Sequence, residues 1–416
     1  METCLKKKML VRFAVIAFTV ICLVTLYGHR LSFPPESYFD EVYHVKRASQ
    51  LAIEQQFNRK ITIHPPLWHF SSASCISFFG DHSWAWRIPS VVCGLLVVFL
   101  VFVLTVKIFK NYLLAFLTSF LFTFDCMSIT QARIGMLNSM MVMFMLLSLY
   151  CFLQFFLDEI WPREKAFLLS GIFLGLGLAT RMVASYQIII YGIIIGVYLV
   201  TARKNTWQTL RSALLYLILV PIAIYLGTYL FITVLYKNSL TDFLFHLHYG
   251  YKGLVLTKGH HYGSPWWSWP LMTRPIWYFF ERHKETGIVN GILCIGNQAI
   301  FWIIPISIGH VVWKFIRKGT WAYGLILLGF FGQWLPWVFV GRVKFFHFFY
   351  TAMPFACMSI AVLLLWIWQM KKLGKIVVIA YLFLVLSLFI YWYPLLTGFP
   401  ITYKYYLQHM WFRSWI

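Results

Sequence analysis

Residues 87–106 read RIPSVVCGLLVVFLVFVLTV, one arginine followed by nineteen residues without a charge. A helix rises 1.5 Å per residue, so about 20 apolar residues cross the roughly 30 Å hydrocarbon core of a bilayer. Comparable runs lie near 9–27, 111–125, 137–157, 166–180, 184–201, 213–235, 296–313, 320–340, 348–370 and 376–394. The composition agrees. Hydrophobic residues make up 61% of the 416 and charged residues 12%, against about 25% charged in a soluble domain, and the mean hydropathy is +0.73. Backbone polar groups inside a bilayer must be satisfied within the segment. The expected fold is therefore an all-α polytopic membrane protein of about eleven transmembrane helices, a single domain over 1–416 with no soluble domain.

The basic residues set the register. With Lys6, Lys7 and Lys8 on the cytoplasmic side, the short linkers holding Lys107 and Lys110, Arg163 and Lys165, Arg203, Lys204 and Arg211, Lys314, Arg317 and Lys318, and Lys371, Lys372 and Lys375 all fall inside. That is the positive-inside pattern, and a slip of one span would reverse half of it. The net charge of +22 is thereby explained by topology and anionic lipid rather than by nucleic acid. Glu2, Asp158, Glu159 and Glu164 fall inside, and the other nine of the thirteen acids fall outside, with every histidine but His310 on or near the same outer side. Polar chemistry is thus concentrated on the extracytoplasmic face. The eight cysteines form no CxxC pair, so neither a zinc knuckle nor a redox motif is signalled. The first apolar run lacks a small-residue cleavage site before Pro34-Pro35 and reads as a retained span.

Two outer loops are long, about 28–86 and 236–295. In the first, Phe39-Asp40-Glu41-Val42-Tyr43-His44 places two adjacent carboxylates just after the first span, and His64-Pro65-Pro66-Leu67 follows. Residues 38–57 read as an amphipathic helix, with Val42, Val45, Ala48 and Ala52 on one side and Lys46, Arg47, Gln50 and Glu54 on the other. A second short apolar helix is expected over 67–79. Asp40 and Glu41 fit a solvated helix start, where the dipole favours acids. They also fit a general base in a groove, because Tyr38, Phe39, Val42 and Tyr43 would partly desolvate them and raise their pKa.

These motifs resemble the protein O-mannosyltransferases, membrane glycosyltransferases of the GT-C class. FDEVYH followed by HPPL in the first outer loop carries the likeness, and it recurs along the chain in order. Gln131-Ala132-Arg133-Ile134-Gly135-Met136-Leu137-Asn138-Ser139 is similar to the family's arginine-led loop. Gly175 to Arg181 is similar to a Gly-rich segment that in the family usually ends in lysine. The Trp267-Ser268-Trp269-Pro270-Leu271 and Arg274-Pro275 run resembles a family signature, as do Trp334-Leu335-Pro336-Trp337 with Gly341-Arg342, and the ending Tyr393-Pro394 through Trp415. Two departures stand out. Asn138 occupies a place where the family commonly has aspartate, and loop 236–295 is too short for the lumenal MIR domain of the eukaryotic enzymes. The chain thus resembles the compact bacterial members.

The resemblance implies a GT-C bundle and an inverting transfer of mannose, or a related sugar, from a polyprenyl phosphate to Ser/Thr hydroxyls of protein. Loop 28–86 is catalytic and loop 236–295 holds donor or acceptor. Asp40 is the expected base, with Glu41 positioning groups beside it. Arg133, Arg181, Arg274, Arg342, Lys344 and His347 are the candidates for the donor phosphate, Arg274 and Arg342 foremost. A guanidinium matches phosphate oxygens, although any one of these also fits a side chain snorkelling to headgroups. Tyr43, His44, His64, Asn138, Trp267 and Trp269 are the candidates for the sugar and acceptor groove. No cofactor is expected, a divalent metal at His44, His64, His69 and Asp40 being the lesser alternative. The expected partners are the lipid-linked donor, a protein or lipid hydroxyl, the bilayer and, as the family allows, a second copy in a dimer. The runner-up function is a lipid or envelope-glycan transferase of the aminoarabinose type. A transporter or a non-catalytic binding relative are the further alternatives, the former disfavoured by spans almost free of charge between their ends. The expected location is a bacterial inner membrane with the site outward, or the endoplasmic reticulum in a eukaryote.

Overall fold

A computed structural model describes residues 20–54, 64–157, 161–202, 206–235 and 259–416. Each of the ten apolar runs after the first falls on a helix. Among the described residues, eight helices are long and apolar enough to span a membrane, or nine if Tyr112–Thr123 and Cys126–Arg133 count as one span bent by 64°. The helix Arg163–Thr180 opens with Arg163, Glu164 and Lys165, so only its later turns are apolar. Of the first run, residues 20–27 are helical and the rest lies outside the described residues, as do Asp158, Glu159, Arg203 and Lys204. Large apolar side chains such as Phe99, Phe116 and Phe383 are exposed on the rim, as lipid requires.

The bundle is close-packed around Phe346–Trp368, whose apolar window is 94% buried. Small residues allow the approach. A Cβ at Gly94 would run into Ala132, and one at Gly171 into the Tyr216 carbonyl. The bend after Thr123 has a local cause. Asp125 caps the next helix, its Oδ2 accepting from the Ser128 amide at 2.9 Å and the Ser128 hydroxyl at 2.8 Å. Its Oδ1 accepts from the Asn297 amide at 3.1 Å. An acid placed on the outer face by topology is therefore a buried structural cap.

Above the spans, the first outer loop forms helix Glu41–Ser49, a π-helical continuation Gln50–Glu54, and helix Leu67–Phe79. The second helix has the expected bounds, and residues 55–57 of the first lie outside the described residues. The helical-wheel reading of the first helix needs correction. Val42 is exposed and Arg47 is buried, together with Glu41, His44, Val45 and Ala48. This helix is sunk among its neighbours rather than floating on the bilayer, so its inner face accepts polar groups that find partners there.

The second outer loop and the segment after the helix Lys371–Thr397 add an element absent from the helical expectation, a three-stranded antiparallel sheet. Strand β1 (Ile276–His283) pairs with β2 (Ile288–Cys294), and β2 pairs with β3 (Ile401–Thr402). The signal is legible in retrospect. Aromatic and β-branched runs flank a turn at Lys284–Gly287, where Gly287 has φ +66°. Residues 236–258 of this loop lie outside the described residues. The chain end is stitched to the same face: Trp277 Nε1 donates to the Trp415 carbonyl and Trp415 Nε1 to the Met272 carbonyl, both at 2.9 Å.

Candidate active site

Asp40 stands at the N-cap position of the first outer helix, yet its side chain makes no capping hydrogen bond. Its predecessor Phe39 has φ +52°, a left-handed conformation that a bulky residue rarely adopts and that is often found at functional sites. The Phe39 ring is held by Tyr278 of β1, centroids 4.4 Å apart, with His347 at 6.0 Å. Asp40 lies close enough to two arginines to feel their charge. Burial raises its carboxyl above the ordinary aspartate range, while the charges of Arg181 and Arg342 pull it down. The net rise suits a group that must take a proton near neutral pH.

Arg181 and Arg342 come from different parts of the bundle and flank one ring, with Arg181 4.9 Å and Arg342 5.8 Å from the centroid of Phe348. Together with His64, Tyr186, Trp337 and Val340 they line a cavity of about 200 Å³. Beside it, Asn138, Arg181 and His347 share a smaller void. His347 is buried, and its Nδ1 has no partner among the described residues. The guanidinium of Arg181 donates to Asn138 Oδ1. Two guanidinium groups lining one cavity, with a buried carboxyl close enough to feel both charges, are an arrangement that can hold an anion beside a proton acceptor.

Glu41 does something else. It is fully buried and bidentate with Arg87, both contacts at 2.9 Å. Its Oε1 also accepts from the Gly135 amide at 2.6 Å. Arg87 donates further to the carbonyls of Leu31 (2.8 Å), Pro34 (3.0 Å) and Glu36 (3.2 Å). A side chain at Gly135 would bring a Cβ within 3.1 Å of Glu41 Oε1. This clamp ties the loop carrying Asp40 to the top of the helix Ser83–Phe109. Glu41 therefore anchors the segment that carries Asp40 and is itself occupied.

Three histidines of the first outer loop converge. His44 Nδ1 and His69 Nε2 are 3.1 Å apart, and the His44 and His64 rings are 5.6 Å apart. Burial holds His44 down at about 3 and puts His64 and His69 well below the usual imidazole value. The charge of Arg181 adds to the first two and that of Arg47 to the third. All three are neutral at physiological pH. Among the described residues no group of three or more His, Cys, Asp or Glu has a geometry that could hold a metal ion.

Several sequence candidates lie elsewhere. Arg133 is buried on another side, donating to the Tyr27 carbonyl at 2.6 Å. Arg274, ranked with Arg342 from the sequence, donates to the Ser414 carbonyl at 2.5 Å and, within its own loop, to the His261 carbonyl at 3.1 Å. Tyr43 is 61% and Trp267 57% exposed. Trp269 is fully buried, its Nε1 donating to Ser264 Oγ at 3.0 Å, and packs on Trp337. Lys344 is half-buried and offers its carbonyl to the Ser264 amide at 2.9 Å. Sequence reasoning missed Arg87, Gln131, Tyr186, Tyr278 and Phe348. Arg87 had a signal as the lone charge heading an apolar run, and Gln131 stood in the arginine-led loop without being given a role.

Residues 16–236 match the family described as dolichyl-phosphate-mannose-protein mannosyltransferase, and residues 244–415 match the C-terminal four-transmembrane region of protein O-mannosyltransferase. Relatives named polyprenol-phosphate-mannose–protein mannosyltransferase occur in Mycolicibacterium smegmatis, 26% identical over 91% of this chain and 87% of the relative, and in Mycobacterium tuberculosis, 25% identical over 91% and 86%. Among solved structures, the Saccharomyces cerevisiae protein O-mannosyltransferase Pmt1-Pmt2 complex bound to the sugar donor superposes with a TM-score of 0.82 at 14% identity, over 99% of this chain and 93% of that one. ArnT from Cupriavidus metallidurans bound to undecaprenyl phosphate gives 0.57 at 15% identity, over 84% and 60%. These two share the GT-C fold with this chain.

Proposed function

The chain belongs to the dolichyl-phosphate-mannose-protein mannosyltransferase family, and from that premise we propose that it moves mannose from a polyprenyl phosphate to Ser/Thr hydroxyls of protein at the outer face of the membrane. The donor phosphate sits against Arg181 and Arg342. The acceptor oxygen attacks the anomeric carbon from the face opposite the phosphate, Asp40 takes its proton, and the bond from carbon to phosphate oxygen breaks. Inverted mannoside and polyprenyl phosphate are the products. The phosphate leaves as an anion, so no general acid is required, and the guanidinium pair meets the charge that grows on it. Two fixed cations also do what a divalent metal would do for the leaving group, so the reaction runs without one. The reading is carried by one observation: Asp40, uncapped and half-buried, faces the charges of Arg181 and Arg342. The outward orientation is supported by the basic linkers on the opposite side.

The test is purified protein supplied with radiolabelled polyprenyl-phosphate mannose and a Ser/Thr-rich peptide. Label in the peptide, lost in Asp40→Asn, is the expected result. Label moving only to lipid would replace the protein acceptor by the lipid acceptor of an aminoarabinose-type enzyme. No transfer from any such donor would remove the reading.

A further inference from the structure

Arg181 is the end of a buried polar relay that reaches the outer sheet. Its guanidinium donates to Asn138 Oδ1. Asn138 Nδ2 donates to Gln131 Oε1 at 2.6 Å. Gln131 Nε2 donates to the Tyr278 hydroxyl at 2.5 Å and lies 3.5 Å from Cys294 Sγ. Arg181, Asn138, Gln131 and Tyr278 are all buried, so each lost partner would leave a stranded polar atom.

The direction of the relay is forced. A guanidinium has donors and no acceptor, so Asn138 must present its oxygen to Arg181. Its nitrogen then faces Gln131, which must answer with oxygen and point its own nitrogen at Tyr278. Reversing either amide would set nitrogen against nitrogen. Both amides are neutral, so the relay fixes the angle of the guanidinium without compensating its charge. That is the combination an anion site needs, because a fork held in place loses little freedom when phosphate arrives.

We propose that Gln131 is a positioning residue for the lipid-phosphate donor, acting through Asn138 on Arg181. The inference rests on the reading of Arg181 and Arg342 as the phosphate site, and it moves Asn138 from the sugar groove to the support of that site. Gln131 itself sits a side chain away and touches no substrate.

The test is a double-mutant cycle on the full chain in lipid nanodiscs, using Gln131→Leu, Arg181→Ala and their combination. The readouts are the Kd for decaprenyl phosphate alone and, for Gln131→Leu, the donor KM and kcat. Gln131→Leu is expected to weaken lipid-phosphate binding and raise the donor KM by about tenfold, with kcat little changed. In the Arg181→Ala background the same substitution is expected to change Kd less than about twofold, since nothing is left to position. Where Gln131→Leu lowers the melting temperature too far, Gln131→Met, closer in shape, takes its place. Additive effects in the two backgrounds would overturn the proposal, as would a fall in kcat with KM unmoved. Failure of the wild-type protein to bind decaprenyl phosphate would instead overturn the phosphate site itself.

Discussion

Asp40→Asn separates chemistry from folding. The side chain caps nothing and makes no hydrogen bond among the described residues, and asparagine is nearly its shape. The sign of the stability change follows from its raised pKa. A carboxyl whose folded pKa lies above the unfolded value favours folding most when protonated, and that contribution is lost as pH rises through the folded pKa. At neutral pH the charged form is thus a burden that asparagine lacks, so the variant is expected to melt at or slightly above the wild-type temperature. Catalysis should respond oppositely. A positioned general base contributes about 10²–10⁴-fold, equivalent to roughly 3–5 kcal/mol of barrier at 1.36 kcal/mol per decade. The assay is initial rate of mannose transfer at saturating donor, beside a melting curve of the same preparation. The wild-type rate should also fall on the acid side, with an apparent pKa above that of an ordinary aspartate. A variant that melts normally and keeps more than about a tenth of the rate would refute the assignment of Asp40 as base.

Glu41→Ala leaves Arg87 buried without its carboxylate, and breaking such a pair costs about 3–5 kcal/mol; a large drop in melting temperature is expected, and an unchanged melt with lost turnover would make Glu41 a reacting group instead. Arg342→Ala should raise the donor KM by about 10–100-fold, whereas Arg274→Ala should leave it within about twofold and instead lower the melting temperature by loosening the segment around Ser414. Equal effects on KM would return Arg274 to the phosphate site. Incubation with EDTA should leave mannose transfer at the untreated rate, and a loss restored by one divalent ion would reinstate the metal reading at the histidine cluster.

The spans were legible because hydropathy is local: twenty apolar residues announce a crossing whatever surrounds them. Asp40 was singled out for a different reason, scarcity, since the 416 residues carry only 13 acids and two of them are adjacent here. The arginines were not sorted by the same logic. Arg133, Arg181, Arg274 and Arg342 all look alike as cations near span ends, and only the direction of each side chain sends two to Phe348, one to Tyr27 and one to Ser414. Glu41 could not reveal its partner because Arg87 lies 46 residues away. The outer sheet stayed hidden for a related reason. Its strands are short, and one of them comes from beyond the last span.

That third strand has a bearing on biogenesis. Ile401 and Thr402 complete a sheet whose other two strands precede them by more than a hundred residues, and the indole of Trp415 closes the same surface. The crossing Lys371–Thr397 must be threaded, and the residues after it made, before Tyr278 and Phe39 acquire their finished surroundings. Catalytic competence therefore waits on a segment made more than a hundred residues after the strands it completes, and a ribosome stalled before Ile401 would leave a threaded but unfinished enzyme.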